Sequence, residues 1–241
     1  MNTPLLQALR ALVGLGSTRV DAFAFACVVW TCALAVSVAS VADAGEATPL
    51  ANTEENQRIL ILGDSISAAY GMSLEQGWAA LMERRMQATY PGLQIINASI
   101  SGDTTGGGLR RLPGLLAEHA PHIVVIELGG NDGLRGYPTS KLTENLTAMA
   151  RLAIDAGAEA LLLPMEIPPN YGPRYTSAFR ASFVDAAQQS GAQLGPFILQ
   201  DIATRAELMQ ADGIHPTREA QPMIVDTLQP LISKLLDQTD V

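Results

Sequence analysis

Three times in this chain a short, mostly apolar run breaks off into a polar, glycine-bearing turn and gives way to an amphipathic segment. Ile59 to Leu62 leads into Gly63-Asp64-Ser65-Ile66-Ser67, and Leu93 to Ala98 into Ser101-Gly102-Asp103-Thr104-Thr105. Ile123 to Leu128 leads into Gly129-Gly130-Asn131-Asp132-Gly133. The four consecutive branched apolar residues Ile59 to Leu62 read as a strand buried on both faces, and the other two runs as further strands. Strands that alternate with helices and cross over right-handedly leave little choice but a parallel sheet with helices on both faces. The expected class is α/β, a three-layer flavodoxin-like fold with a sheet of about five parallel strands.

The remaining elements fit that frame. Trp78, Leu81, Met82, Met86 and Tyr90 recur at helical spacing before Pro91-Gly92. Thr104 or Thr105 can cap a helix over Leu109 to His119, although Gly106-Gly107-Gly108 weakens its first turn enough that a loop stays open. A helix is predicted over Lys141 to Ala156, stopped by Gly157, and a fourth strand over Ala160 to Pro164. A proline-rich loop, Ile167 to Pro173, leads to a helix from Tyr175 to Gln189. Leu194 to Leu199 can supply the fifth strand, and Asp201 to Met209 a short helix. The last helix begins near Arg218, with Pro222 in the tolerated first turn and a kink or break expected at Pro230.

The N-terminus reads differently. Arg10 and Arg19 precede a stretch from Ala22 to Ala42 without a charge, and Ser40-Val41-Ala42 and Ala42-Asp43-Ala44 offer small residues to a signal peptidase. Residues 1–42 are expected to be a signal peptide or, uncleaved, a membrane anchor, residues 43–57 a flexible lead-in, and residues 58–241 the folded domain. Positive charge ahead of the apolar run sends the domain across the membrane either way, so an exported protein is expected, periplasmic or secreted. Cys27 and Cys32 both lie in the apolar run, which leaves the domain without disulfide, thiolate metal site or cysteine nucleophile. A formal charge of −9 and the lack of any basic stripe argue against a nucleic-acid partner.

In open α/β sheets ligands gather at the carboxyl ends of the strands. Ser65 stands at such an end, and a serine needs a base, an orienting acid and oxyanion donors to act as a nucleophile. Of the three histidines, His119 and His122 bracket the amino end of the third strand, on the side opposite Ser65. His215 has Asp212 three residues earlier across a glycine, a spacing that lets the carboxylate reach Nδ1 while Nε2 faces out. Asp64, Asp103 and Asp132 read as braces of their turns, and no cluster with metal-ligand spacing accompanies them, so neither metal nor other cofactor is expected.

Taken together, Gly63-Asp64-Ser65-Ile66, Ser101-Gly102-Asp103-Thr104, Gly129-Gly130-Asn131-Asp132 and Asp212-Gly213-Ile214-His215-Pro216 resemble, in order, the four blocks of the SGNH hydrolases, also called GDSL esterases. The likeness covers Ile59 to about Leu236, and Ile66 replaces the usual leucine. Asn170-Tyr171-Gly172 and Ala220-Gln221-Pro222 look like the family's periplasmic thioesterase, lysophospholipase and arylesterase subgroup. The resemblance implies Ser65 as nucleophile, His215 as general base and acid, and Asp212 as its orienting acid. It implies an oxyanion hole of the Ser65 and Gly102 backbone N–H groups and the Asn131 amide. The implied substrate is a small-molecule or lipid ester or thioester, with Leu134, Tyr137, Ile167, Pro168 and Tyr171 lining an apolar groove or, alternatively, packing loops together. A monomer is expected. Two other readings are a small-ester or carbohydrate O-deacetylase of the same family and a flavodoxin-like module binding phosphate or flavin; the second leaves Asp212 and His215 unexplained.

Overall fold

The structure, a computed structural model, describes residues 56–239. The expected signal or anchor segment, and all but the last two residues of the lead-in, lie outside them.

Five parallel strands form the sheet among the described residues: β1 (Arg58–Gly63), β2 (Gln94–Asn97), β3 (Ile123–Glu127), β4 (Glu159–Leu162) and β5 (Gln193–Leu194). Their order is β2-β1-β3-β4-β5, with Ile59 opposite Ile123 and Ile126 opposite Leu162. β1 and β3 are buried almost throughout, as their unbroken apolar runs require. The expected α/β flavodoxin-like arrangement is the one observed. Chain order reverses between β1 and β3, and the crevice at their carboxyl ends is where such sheets bind ligands.

Six α-helices complete the described fold: α1 (Trp78–Met86), α2 (Thr105–His119), α3 (Gly130–Leu134), α4 (Thr139–Asp155), α5 (Pro173–Ser190) and α6 (Gln221–Thr239). α2 starts four residues before Leu109, directly after the turn that follows β2. Thr104 caps it, its hydroxyl accepting the Gly107 N–H at 3.2 Å, and Gly107 and Gly108 are buried. The glycine run is therefore helical because it is packed, in spite of its propensity.

Three expectations are corrected. β5 stops at Leu194 instead of running to Leu199, because Gly195 is followed by Pro196, which has no N–H to continue a ladder. Asp201 to Met209 forms successive turns and one 3-10 turn at Ala206–Leu208, since only Ile202 and Leu208 are buried and no helical stripe exists. α6 runs through Pro230 without a break: Leu228, Ile232, Leu235 and Leu236 are buried on both sides of it, and their packing holds the helix across the lost hydrogen bond.

Candidate active site

The turn after β1 presents Ser65 half-buried at the carboxyl edge. The Ala68 N–H donates to the Asp64 carbonyl at 2.9 Å and the Tyr70 N–H to the Ser65 carbonyl at 3.1 Å, so the chain coils tightly around the serine. Across the crevice, the segment before α6 folds back on itself. Met209 bridges Pro216, the Gln210 N–H donates to the His215 carbonyl at 2.8 Å, and the Thr217 N–H donates to the Leu208 carbonyl at 2.7 Å.

This narrow loop carries His215 over Ser65. His215 Nε2 is 2.8 Å from Ser65 Oγ, and Nδ1 is 2.6 Å from Asp212 Oδ2. The other Asp212 oxygen accepts the Ile214 and His215 N–H groups at 2.9 and 3.0 Å, which fixes the carboxylate without help from another element. Those bonds, the one to the His215 ring first, hold the Asp212 carboxyl down at about 2. An anion on Nδ1 places the ring proton there and leaves Nε2 as the acceptor facing Ser65.

Sequence reasoning passed over Tyr70, which the structure stacks on the His215 ring with centroids 4.2 Å apart. The Gln210 side chain donates to the carbonyls of Tyr70 at 2.8 Å and Pro216 at 3.1 Å, clasping the serine turn to the histidine loop. A polar residue followed five positions later by histidine is too common a pattern to have marked this.

Gly102 and Asn131 arrive at the same edge from the turns after β2 and β3. Gly102 adopts φ +79°, a conformation that favours glycine. Among the described residues neither the Ser65 nor the Gly102 N–H donates to the protein, and both are free for a ligand. Asn131 donates one amide hydrogen to Asp64 Oδ2 at 3.1 Å and keeps the other. The Asp103 carboxylate accepts the Thr104 N–H and pairs with Arg111, and the Asp132 carboxylate accepts the Thr105 N–H and hydroxyl. Both thus brace α2. His122 Nδ1 accepts the Arg58 N–H at 3.0 Å and the His119 carbonyl accepts from the Arg58 guanidinium, both at the far end of the sheet.

A cavity of about 570 Å³ opens beside Ser65, lined by Leu134, Ile167 and Pro168 as well as Met165, Leu199 and Met209. Tyr137 and Tyr171, predicted to share that lining, do not. The Tyr171 hydroxyl donates to the Leu134 carbonyl at 2.7 Å, and the Tyr137 carbonyl accepts from Tyr175 at 2.6 Å. These tyrosines tie the α3–α4 connection to the start of α5. Met165, Leu199 and Met209 escaped the sequence reading because they come from three separate segments whose convergence no local pattern reveals. Among the described residues no group of three His, Cys, Asp or Glu side chains is placed to hold a metal ion.

Known proteins share this arrangement of elements. Over 180 residues the chain is 49% identical to "Esterase TesA" of Pseudomonas aeruginosa, covering 75% of this chain and 90% of that one. It is 44% identical over 179 residues to "Thioesterase 1/protease 1/lysophospholipase L1" of Escherichia coli K12, covering 73% and 85%. A crystal structure of the psychrotrophic esterase EstA from Pseudoalteromonas sp., inhibited by monoethylphosphonate, superposes with a TM-score of 0.72 at 47% identity, covering 75% of this chain and 99% of that one. The resemblance carried by the four turns is borne out at the level of the family: the family model described as "GDSL-like Lipase/Acylhydrolase family" matches residues 61–221, from within β1 to the first residue of α6, and the chain belongs to that family.

Proposed function

We propose that this ester or thioester hydrolase works through a covalent acyl-enzyme on Ser65. The observation that carries the reading is the unbroken line from Ser65 Oγ through His215 to the Asp212 carboxylate. Ser65 Oγ attacks the substrate carbonyl as His215 Nε2 takes its proton, and Asp212 stabilises the imidazolium so formed. The carbonyl oxygen becomes an oxyanion that accepts from the Ser65 and Gly102 N–H groups and the free N–H of Asn131. Collapse expels the alcohol or thiol, which takes the proton from His215. Water, deprotonated by His215, then attacks the acyl carbonyl; Ser65 leaves with the proton, and the carboxylic acid departs.

The apolar cavity supports an acyl or aryl ester whose hydrocarbon part lies along Leu134, Met165, Ile167 and Pro168. The esterase, thioesterase and lysophospholipase names of the relatives agree with that class. Export to the periplasm or medium is supported by the charge-free run between Ala22 and Ala42 behind Arg10 and Arg19.

The test is twofold. A fluorophosphonate should label Ser65 stoichiometrically and abolish turnover, and Ser65→Ala should escape labelling. Across p-nitrophenyl esters of rising chain length, kcat/KM should peak beyond acetyl. A maximum at acetyl would make the protein a small-ester deacetylase; absence of labelling would remove the serine mechanism.

A further inference from the structure

Beneath the Ser65 turn lie two buried carboxyl groups that the reaction above leaves without a task. Glu127, the last residue of β3, is wholly buried, and its Oε2 accepts from the Ser67 hydroxyl at 2.7 Å and the Asp64 N–H at 3.3 Å. Asp64 is 2% exposed. Its Oδ1 accepts the Ile66 N–H and its Oδ2 accepts from Asn131 Nδ2, each at 3.1 Å. The charged and titratable groups that face Asp64 are Glu127 from β3, Asp103 from the turn after β2, and His215 from the loop before α6.

A negative charge on one buried carboxyl disfavours ionisation of a second beside it. Burial, then the Asp64 charge, push the Glu127 carboxyl well above its usual range. Burial also raises Asp64, to about 6, with the Ile66 N–H, His215 and Asn131 opposing it. Of the two, Asp64 is the one fitted to carry a negative charge, since the Ile66 N–H, His215 and Asn131 all favour its anion while Glu127 faces that charge.

That charge sits against a side chain with two faces. The Asn131 amide can turn over and exchange its donor end for its acceptor end. An ionised carboxylate only accepts, so it takes one hydrogen of Nδ2 and leaves the second hydrogen of the same nitrogen for the ligand. A neutral group at position 64 able to donate would pair equally well with Asn131 Oδ1. The amide would then offer a carbonyl oxygen, or nothing, where negative charge develops.

We propose that Asp64 is a positioning residue whose carboxylate locks the Asn131 amide in the orientation that donates to the oxyanion. The inference rests on the oxyanion role given to Asn131 above. Losing one such donor lowers turnover on the order of 10²- to 10³-fold, which sets the size of the effect.

The experiment measures kcat and KM for p-nitrophenyl butyrate, with thermal unfolding as a check on folding, in Asp64→Asn, Asp64→Ala, Glu127→Gln, Asn131→Ala and the Asp64→Asn/Asn131→Ala double variant. Asp64→Asn should lose on the order of 10²-fold or more in kcat with KM little changed, and the double variant should be no slower than Asn131→Ala. Asp64→Ala, which removes the lock without supplying a competing donor, should lose less than Asp64→Asn. Glu127→Gln, a neutral replacement for a neutral acid, should stay within about tenfold of the parent. A larger loss in Asp64→Ala than in Asp64→Asn would reduce Asp64 to a brace of the turn and overturn the proposal. So would losses that multiply in the double variant, or a Glu127→Gln variant as slow as Asp64→Asn. A near-normal Asn131→Ala would bring down the oxyanion reading and this inference with it; a crippled Asn131→Ala beside an undisturbed Asp64→Asn would bring down the inference alone.

Discussion

His215 Nε2 stands 2.8 Å from Ser65 Oγ although the residues are 150 positions apart, one on a turn off the sheet and the other on a loop that precedes the last helix. Asp212 reaches the far side of the same ring, yet its side chain is 37% exposed and every bond it makes lies within its own loop. Asp212→Asn should therefore fold normally and fail chemically, because an amide can hold the ring in the wrong tautomer. Its kcat should fall on the order of 10³- to 10⁴-fold with an unchanged melting temperature. Steady-state kinetics beside thermal unfolding checks both halves.

Tyr70 covers one face of the His215 ring, and an aromatic face stabilises a cation by about 0.5 to 1 kcal/mol at an exposed site. Since in the proposed mechanism the imidazolium forms only as Ser65 attacks, Tyr70→Ala should cost roughly 2- to 5-fold in kcat, and Tyr70→Phe almost nothing. Equal losses in the two variants would shift the role from the ring face to the hydroxyl.

Glu127 gives the domain a signed pH dependence. Above the ordinary carboxylate range the unfolded chain releases this proton while the folded chain keeps it, so the Glu127 contribution to stability declines as pH rises through that window. Glu127→Gln has no proton to release. The melting temperature of the variant minus that of the parent should grow from pH 4 to pH 8; a constant difference would mean that Glu127 ionises in the folded protein.

Ala203 lines the cavity with a small side chain and is solvent-exposed, so a larger residue there should be accepted by the fold. Ala203→Trp should move the preferred p-nitrophenyl ester to shorter chains while acetyl turnover stays within a few-fold. The chain-length series that defines the substrate class also reads this shift.

Gly108 lies buried in the first turns of α2, where an added Cβ would come within 2.3 Å of Leu128 Cδ1 and 3.1 Å of Met149 Sδ. Gly108→Ala improves helix propensity by about 1 kcal/mol and overpacks a core contact by about 1 to 3 kcal/mol. The net expectation is a lower denaturation midpoint, measured in urea.

What the sequence made legible follows the range of the interactions involved. β1 and β3 were readable because Ile59 to Leu62 and Ile123 to Leu128 are buried on both faces, which writes burial directly into composition. The four polar turns were readable because each is local, and for the first three a position at a strand end follows from the parallel topology. Tyr70, Glu127 and Met165 were not, since each acts on residues from a different element and has an unremarkable neighbourhood in the chain. Tyr137 and Tyr171 stood between lining the groove and packing loops together, and the bonds of the Tyr171 hydroxyl and the Tyr137 carbonyl favour the second. The break expected at Pro230 treated a helix as isolated, whereas buried leucines and isoleucines on either side carry α6 across it.

The last helix also decides when the enzyme exists. Gln221, its first residue, accepts the Trp78 N–H at the head of α1, and the Gln57 side chain donates to the Leu236 carbonyl near its other end. Ser65, Gly102 and Asn131 are held by the sheet, but His215 is held by the segment that α6 anchors. A chain folded only as far as the end of α5 would hold the proposed nucleophile and oxyanion donors without the proposed base. If His215 is the base, hydrolysis begins only once the C-terminal segment has docked.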